Sequence, residues 1–325
     1  MRAISVTAYG GPDVLQLIDA PDPVPGPGEV TIAVTHAAVG LIDGLIRSGT
    51  FADHAAVARP PFVPGLEVAG HIRALGPGVE GLTVGESVAT LTLPKLGGNA
   101  EIAVAPVALV VSLEGSGVDP AQAVAGLGNA ATAYLALTRA AHLGAGETVL
   151  VHGAIGGLAS AFPAVARMLG AGRVVGTVRT AAKADAARAL GLDDVIVSDD
   201  FPAGLNDEKF DVIVDPVGGD QRGESLDVLA PLGRLVVVGS AVGNAAVAVD
   251  TNRIWTSSIA VIGFSVGQIL AIDPTLGVPA GRAVLPLLAG GELSLPITEL
   301  PLADAAEAHR LMDARSVVGR LVLTV

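Results

Sequence analysis

The sequence predicts an α/β protein in two parts, a mostly β barrel domain and a domain built on a doubly wound parallel sheet. Three observations carry that expectation. An apolar run breaks into a glycine-rich turn and then an alanine-rich helical pattern in ETVLVHGAIGGLASAFPAVARML, Glu147 to Leu169. Strand-like and helix-like segments then alternate to about Val266. Ahead of them, from Met1 to about Gly115, short β-rich runs are separated by glycine and proline.

In the first part the strands are AISVTAY, EVTIAVTHAAVG, FVPGLEVAGHIRALG, ESVATLTL and AEIAVAPVALVVSL. The proline cluster PDPVPGPGEV, residues 21–30, favours an extended surface crossing between two of them rather than a domain linker. A helical stretch from Pro120 to Arg139 leads into Thr148 to Val151, an apolar run suited to a buried parallel strand. The turn that follows has the spacing GxxGxxA. Gly153 and Gly156 permit close backbone approach, and Ala159 keeps the next helix near the sheet. A helix opening there aims free N–H groups and its positive dipole end at a pyrophosphate, which makes Gly153, Gly156, Gly157 and Leu158 candidate contacts of a dinucleotide. Pro163 deletes an interior hydrogen bond of that helix and is expected to kink it.

Beyond the turn come a strand (Arg173 to Val178), a helix (Thr180 to Leu190) and a third strand (Val195 to Ser198). FDVIVDPVGG and GRLVVVGSAVG supply a fourth and fifth, each ending in glycine where a cofactor lies at the carboxyl edge of a parallel sheet, and Ile259 to Phe264 a sixth. A helix (Ala280 to Ala289), a strand (Ile297 to Leu302), a helix (Ala303 to Ala314) and a final strand GRLVLTV are too short to form a domain alone. They are expected to return to the first domain and close a cleft against the nucleotide domain. The expected division is 1–118 with 267–325 for the substrate domain and 119–266 for the nucleotide domain.

Composition narrows the function. The 325 residues are 51% hydrophobic, 16% charged and 3% aromatic, so a core of Ala, Val, Leu and Ile is required and disorder is excluded. A net charge of −13 argues against nucleic-acid or anionic-membrane binding. The absence of cysteine removes disulfides, catalytic thiols and cysteine-held zinc, and the histidines at 36, 54, 71, 142, 152 and 309 have no metal-binding spacing, so no metal is expected. MRAISVTAYGGPDVL lacks a signal-peptide pattern, and Ile254 to Ile272 is uncharged but interrupted by polar residues and glycine. That stretch is read as a buried strand followed by a loop, and the protein as cytoplasmic.

The second strand of the nucleotide domain ends GTVRT, with Arg179 where NAD-preferring proteins carry an acidic residue. A guanidinium binds a 2′-phosphate bidentately and a carboxylate repels it, so NADPH is expected over NADH, with Thr180 and Lys183 as further contacts. Val238, Gly239 and Ser240 close the fifth strand beside the cofactor. His152 reads as a satisfied strand-end histidine, and Tyr134 as a core helix residue.

VxGLEVAGxxxALGPGV, NAATAYLAL, VHGAIGG, DPVGG, VVVGS and the terminal GRLVLTV, in this order over essentially the whole chain, resemble the zinc-independent quinone oxidoreductases of the medium-chain dehydrogenase/reductase superfamily. The resemblance implies a GroES-like substrate domain, a Rossmann domain, NADPH as hydride donor, a small-molecule substrate and a homodimer joined through the sheet edge. It also implies that Thr132 lies against the nicotinamide and that the loop from Phe264 to Gly267, with Ser265, offers backbone groups to the carboxamide. Zinc-dependent relatives hold the metal with a histidine and cysteines, whereas this chain has Leu66 before Glu67 and no cysteine, so Glu67 is read as structural.

On the substrate side similar proteins read Asn, two residues, Asp, one residue, Tyr, then IRSG, and this chain reads GLIDGLIRSG. Gly40 and Leu45 replace the Asn and Tyr, and Asp43 is read as a structural carboxylate, for instance paired with Arg47. Gly40, Asp43, Leu45 and Phe51 are the candidate cleft residues, and no catalytic residue is assigned. The expected activity is NADPH-dependent hydride delivery to a quinone or an α,β-unsaturated carbonyl, for which Leu45 suits an apolar enone or enoyl substrate. A non-redox cyclase or isomerase on the same fold, motivated by Gly40, Leu45 and Pro163, is the alternative, and a non-catalytic binding protein a third reading.

Overall fold

In a computed structural model, residues 1–53, 58–243 and 247–325 are described, so His54 lies outside them. In chain order the elements are β1 (Arg2–Val6), β2 (Leu15–Asp19), β3 (Glu29–Val39), α1 (Leu41–Arg47), β4 (Glu67–Leu75), β5 (Ser87–Leu91), β6 (Ile102–Pro106), β7 (Val111–Ser112), α2 (Pro120–Leu135), β8 (Thr148–Val151), α3 (Phe162–Met168) and β9 (Arg173–Val178). They continue with α4 (Ala184–Arg188), β10 (Asp194–Val197), β11 (Phe210–Asp215), α5 (Asp220–Glu224), β12 (Leu229–Val237), α6 (Thr251–Ser257), β13 (Ala260–Gly263), α7 (Val266–Ile272), α8 (Gly277–Ala289), β14 (Ile297–Pro301), α9 (Ala305–Asp313) and β15 (Arg320–Thr324).

These elements form two compact units, Met1–Gly128 with Leu270–Val325, and Asn129–Ile269. The first division falls inside α2 rather than ahead of it, because the helix's early turns belong to the first unit. Gln122 Nε2 donates to Leu295 O, and a β-carbon on Gly126 would stand 2.7 Å from Leu288 Cδ2. A larger sheet of the first unit runs β14-β15-β3-β4-β5-β7, with β6 also on β3, and β1 pairs with β2 in a ribbon the sequence pattern did not disclose. Apart from the parallel β14/β15 pair it is antiparallel. Alternating residues such as Val30, Ile32 and Val34 face a core shared with Val68, Ile72 and Leu321. The C-terminal segment belongs to the first unit, β15 lying between β14 and β3.

The second unit is a six-stranded sheet in the order β10-β9-β8-β11-β12-β13, all parallel. That is the strand order 3-2-1-4-5-6 of the Rossmann fold, whose direction reverses between β8 and β11 and leaves a crevice at their carboxyl ends. Its core is aliphatic around Phe210 and Phe201, with Leu150, Val175, Ile213 and Leu235 from four adjacent strands.

Two local expectations need correction. Pro163 does not kink the helix after the glycine turn: helical backbone starts with a 3-10 turn at Ala159–Ala161, α3 follows from Phe162, and Pro163 occupies its first turn, where the missing N–H costs little. The uncharged stretch 254–272 is not strand then loop but the end of α6, β13 and then α7. No helix among the described residues is long and apolar enough to cross a membrane.

Candidate active site

Most of the predicted dinucleotide contacts share one edge of the parallel sheet. Gly153 to Leu158 follow β8, Arg179 and Thr180 follow β9, Val238 to Ser240 follow β12, and Phe264 and Ser265 follow β13. Parallel strands place all these segments at their carboxyl ends, which is where the fold opens its crevice.

The glycine turn is held from three sides. Gly153 has φ +59 and its N–H donates to Thr177 Oγ1, while Ala154 N donates to Thr177 O. A β-carbon on Gly153 would stand 3.0 Å from Val217 Cγ2, so the turns after β8 and β11 meet closely. Asn129 on α2 donates through Nδ2 to Gly157 O at 3.0 Å, and Ser160 Oγ donates to the same carbonyl at 3.1 Å. With that carbonyl fixed, the N–H groups of Gly157 and Leu158 have no hydrogen-bond partner among the described residues, leaving two donors for an anion. Thr132 is buried one helical turn beyond Asn129, on the same face of α2. Asn129 lies inside the NAATAYLAL motif but was not singled out, because nothing in the sequence says which helical side chain reaches a loop 28 residues away.

Arg179 is exposed at the end of β9, and neither its side chain nor that of Lys183 forms a hydrogen bond or ion pair among the described residues. At the other end of the site, Phe264 N donates to Val237 O and its ring is buried, whereas Ser265 is exposed. Gly239 is exposed, and a β-carbon there would stand 3.1 Å from Pro216 O. The Ser240 hydroxyl donates to Gly243 O.

Behind this edge lies a charged brace that sequence reading missed. Asp215, fully buried, accepts from Val217 N (2.7 Å) and Gly218 N (2.8 Å) through Oδ1 and from Arg222 Nε (2.5 Å) through Oδ2. Arg222 Nη2 then donates to Gly239 O at 2.6 Å. One guanidinium therefore ties the DPVGG turn to the VGS turn, which are also zipped by Ala241 N to Pro216 O and Val242 N to Val217 O.

His152 is the satisfied strand-end residue. Ser225 Oγ gives its proton to Gln221 O, so it accepts from His152 Nε2 at 2.8 Å, leaving Nδ1 to accept from Thr177 Oγ1 at 3.2 Å. Burial pushes this imidazole down to about 4 against the opposing pull of Asp215, and the ring stays neutral.

In the first unit, Gly40, Asp43 and Leu45 sit together at the start of α1. Gly40 is its N-cap, and Asp43 three residues on accepts from Gly40 N through Oδ2 at 2.8 Å. The expected pairing of Asp43 with Arg47 is not formed. Arg47 turns to α9, where Nη1 donates to His309 Nδ1 (2.9 Å) and Nη2 to Asp313 (2.8 Å), and Nε reaches Gly10 O. Burial, with Arg47 beside it, pushes the His309 ring down to about 4. Leu45 is half-buried, and Phe51 packs on an apolar cluster of Ile46, Leu66 and Leu96. Glu67 is structural, bonded by Arg320 Nη2. Among the described residues no group of three or more His, Asp or Glu side chains could hold a metal ion.

Comparison with known proteins agrees with this architecture. The family model for the alcohol dehydrogenase GroES-like domain matches residues 26–115, and that for zinc-binding dehydrogenase matches 155–276. A 2-haloacrylate reductase from a Burkholderia species is 30% identical over 99% of this chain and 98% of its own length. A quinone oxidoreductase of Pseudomonas aeruginosa is 31% identical over 99% of both. Among solved structures, Escherichia coli quinone oxidoreductase complexed with NADPH superposes with a TM-score of 0.87 at 26% identity, covering 100% of each chain.

Proposed function

The chain belongs to the quinone oxidoreductase-like branch of the medium-chain dehydrogenase/reductase superfamily and is an oxidoreductase with a nicotinamide cofactor, and from that premise we propose that it reduces a quinone or an α,β-unsaturated carbonyl with NADPH and without zinc. The observation that carries the proposal is the exposed Arg179 at the end of β9, whose side chain has no partner among the described residues, on the sheet edge that also presents the N–H groups of Gly157 and Leu158, likewise without partners among them.

These residues fit the cofactor. Backbone donors at the glycine turn suit a pyrophosphate, and a guanidinium flanked by Thr180 and Lys183 suits a 2′-phosphate. Thr132, Val238, Gly239, Ser240, Phe264 and Ser265 are assigned to the nicotinamide end. When bound, NADPH supplies a hydride to an electron-poor carbon, and the chain's part is to orient the acceptor and manage the accompanying proton.

Gly40 and Leu45 stand where similar proteins carry an Asn and a Tyr, so two polar groups are missing from the start of α1, which suits an apolar enone or a quinone. Pro163 no longer argues for non-redox chemistry, since it stands in the first turn of α3. The test is consumption of NADPH with a benzoquinone, a cyclic enone and a 2-haloacrylate offered separately. Turnover with a neutral acceptor is expected; binding of NADPH without turnover on any acceptor would favour the cyclase or isomerase reading.

A homodimer is part of the same proposal. It is supported by β13 being an outer strand of its sheet, near Trp255 and Leu232, which are 78% and 76% exposed. Light scattering reads the mass directly, and a monomer at micromolar concentration would remove it.

A further inference from the structure

Three fully buried side chains of the second unit, Thr177, His152 and Ser225, form a chain of hydrogen bonds behind the glycine turn. His152 directly follows β8, and the parallel register that sets Val151 opposite Gly176 brings His152 beside Thr177 near the end of β9. The chain runs one way only. Ser225, just past α5, gives its hydroxyl hydrogen to Gln221 O at 2.6 Å, so the ring hydrogen of His152 sits on Nε2 and is donated to Ser225 Oγ at 2.8 Å. Burial keeps the ring neutral, which leaves a lone pair on Nδ1 for the Thr177 hydroxyl at 3.2 Å. The Thr177 oxygen in turn accepts from Gly153 N at 3.1 Å.

Gly153 depends on that acceptor. Its N–H has no backbone partner among the described residues, and its φ of +59 takes it out of the strand ladder. Gly153 O accepts from Gly156 N, and Gly156 O from Ser160 N, both at 2.8 Å, so the turn is built outward from Gly153. Gly157 and Leu158, whose N–H groups have no partners among the described residues, lie between Gly156 and Ser160. The far end of the chain is anchored on α5, the same helix whose Arg222 ties the DPVGG and VGS turns together.

We propose that Thr177, oriented by His152, is a positioning residue for the cofactor pyrophosphate, holding the glycine turn in the conformation that presents the Gly157 and Leu158 N–H groups together. The proposal rests on the reading above, in which this turn binds NADPH. Thr177 acts through Gly153 and not on the cofactor itself. It raises the population of the competent turn, and apparent affinity scales with that population. The hydroxyl is needed for both of its bonds at once, accepting from Gly153 and donating to His152, so a serine can replace it and a valine of the same shape cannot. Losing the bond to Gly153 leaves that N–H without its acceptor and removes what favours this turn over others.

The experiment compares dissociation constants for NADPH and NADH, which share the pyrophosphate and differ in the 2′-phosphate, at a temperature where circular dichroism shows each variant folded. Thr177→Val is expected to weaken both cofactors by the same factor, about tenfold, the shift that follows if the competent turn falls to a tenth of its population. Thr177→Ser is expected to restore wild-type affinity for both. Ser225→Ala breaks the chain at its far end, and is expected to move the His152 ring hydrogen from Nε2 to Nδ1, read by 15N NMR, and to weaken both cofactors in the same sense. A folded Thr177→Val that binds like wild type overturns the proposal. A loss confined to NADPH also overturns it, since the residue would then act through Arg179, and so does a serine variant as weak as the valine one. Should Thr177→Val not fold, Ser225→Ala carries the comparison, and unchanged affinity there overturns the proposal. If wild type binds neither cofactor, the NADPH reading itself fails and the positioning role falls with it.

Discussion

Arg222→Ala is expected to cost about 3–5 kcal/mol of folding free energy, the penalty for leaving a buried carboxylate without its partner. Asp215 is fully buried at the end of β11, and Arg222 is its only ion-pair partner among the described residues. Two backbone N–H groups remain on the other oxygen, but they orient the charge without neutralising it. The substitution also frees Gly239 O and so loosens the turn assigned to the cofactor. Arg222→Lys retains the charge but offers one nitrogen where Nε and Nη2 now serve two acceptors, so it should recover only part of the loss. Urea denaturation measures this. The exposed pair Arg188–Asp185, whose aspartate is 96% exposed, is the control, and Arg188→Ala should cost less than about 1 kcal/mol. An Arg222→Ala loss as small as the control's would mean that the brace does not hold the two turns.

Arg179→Asp is expected to weaken NADPH binding about 10²-fold and to remove the preference over NADH. The charge-assisted contact of a guanidinium with a phosphate is worth about 1.5–3 kcal/mol, and each 1.4 kcal/mol is tenfold in affinity. Replacing it with a carboxylate adds repulsion. Because Arg179 is exposed and unpaired among the described residues, the change should leave stability within about 0.5 kcal/mol, so altered binding cannot be ascribed to unfolding. Dissociation constants for both cofactors, wild type against variant, give the result. An unchanged NADPH to NADH ratio would mean that another group reads the 2′-phosphate.

Much of the second unit was legible because its signals are local. Val149 to Val151 and Ile213 to Val214 are uninterrupted apolar runs, as strands buried on both faces require, and each ends in a turn marked by glycine. The place of Arg179 in the fold was legible for the same reason, since it directly follows a strand. Where the helix after the glycine turn begins was less so: Pro163 looked like a break because helical backbone was taken to start at the glycines rather than at Ala159.

What the sequence withheld are partnerships made by the chain path. Asp43, Glu67 and Arg320 lie on α1, β4 and β15, and only the adjacency of β15, β3 and β4 in one sheet brings them together. Arg47 offered a carboxylate partner at helical spacing in Asp43, yet the helix directs it to α9. Arg222 is three residues beyond the turn it braces, and its reach to Gly239 depends on β11 and β12 lying side by side. Asn129 likewise depends on α2 lying over the glycine turn.

The most direct test of the central claim is calorimetric titration of the purified protein with NADPH and with NADH, separately and before any acceptor is added. The account predicts binding of both with NADPH at least tenfold tighter, through the free donors of Gly157 and Leu158 and the guanidinium of Arg179. Binding of neither cofactor, or tighter binding of NADH, would contradict it.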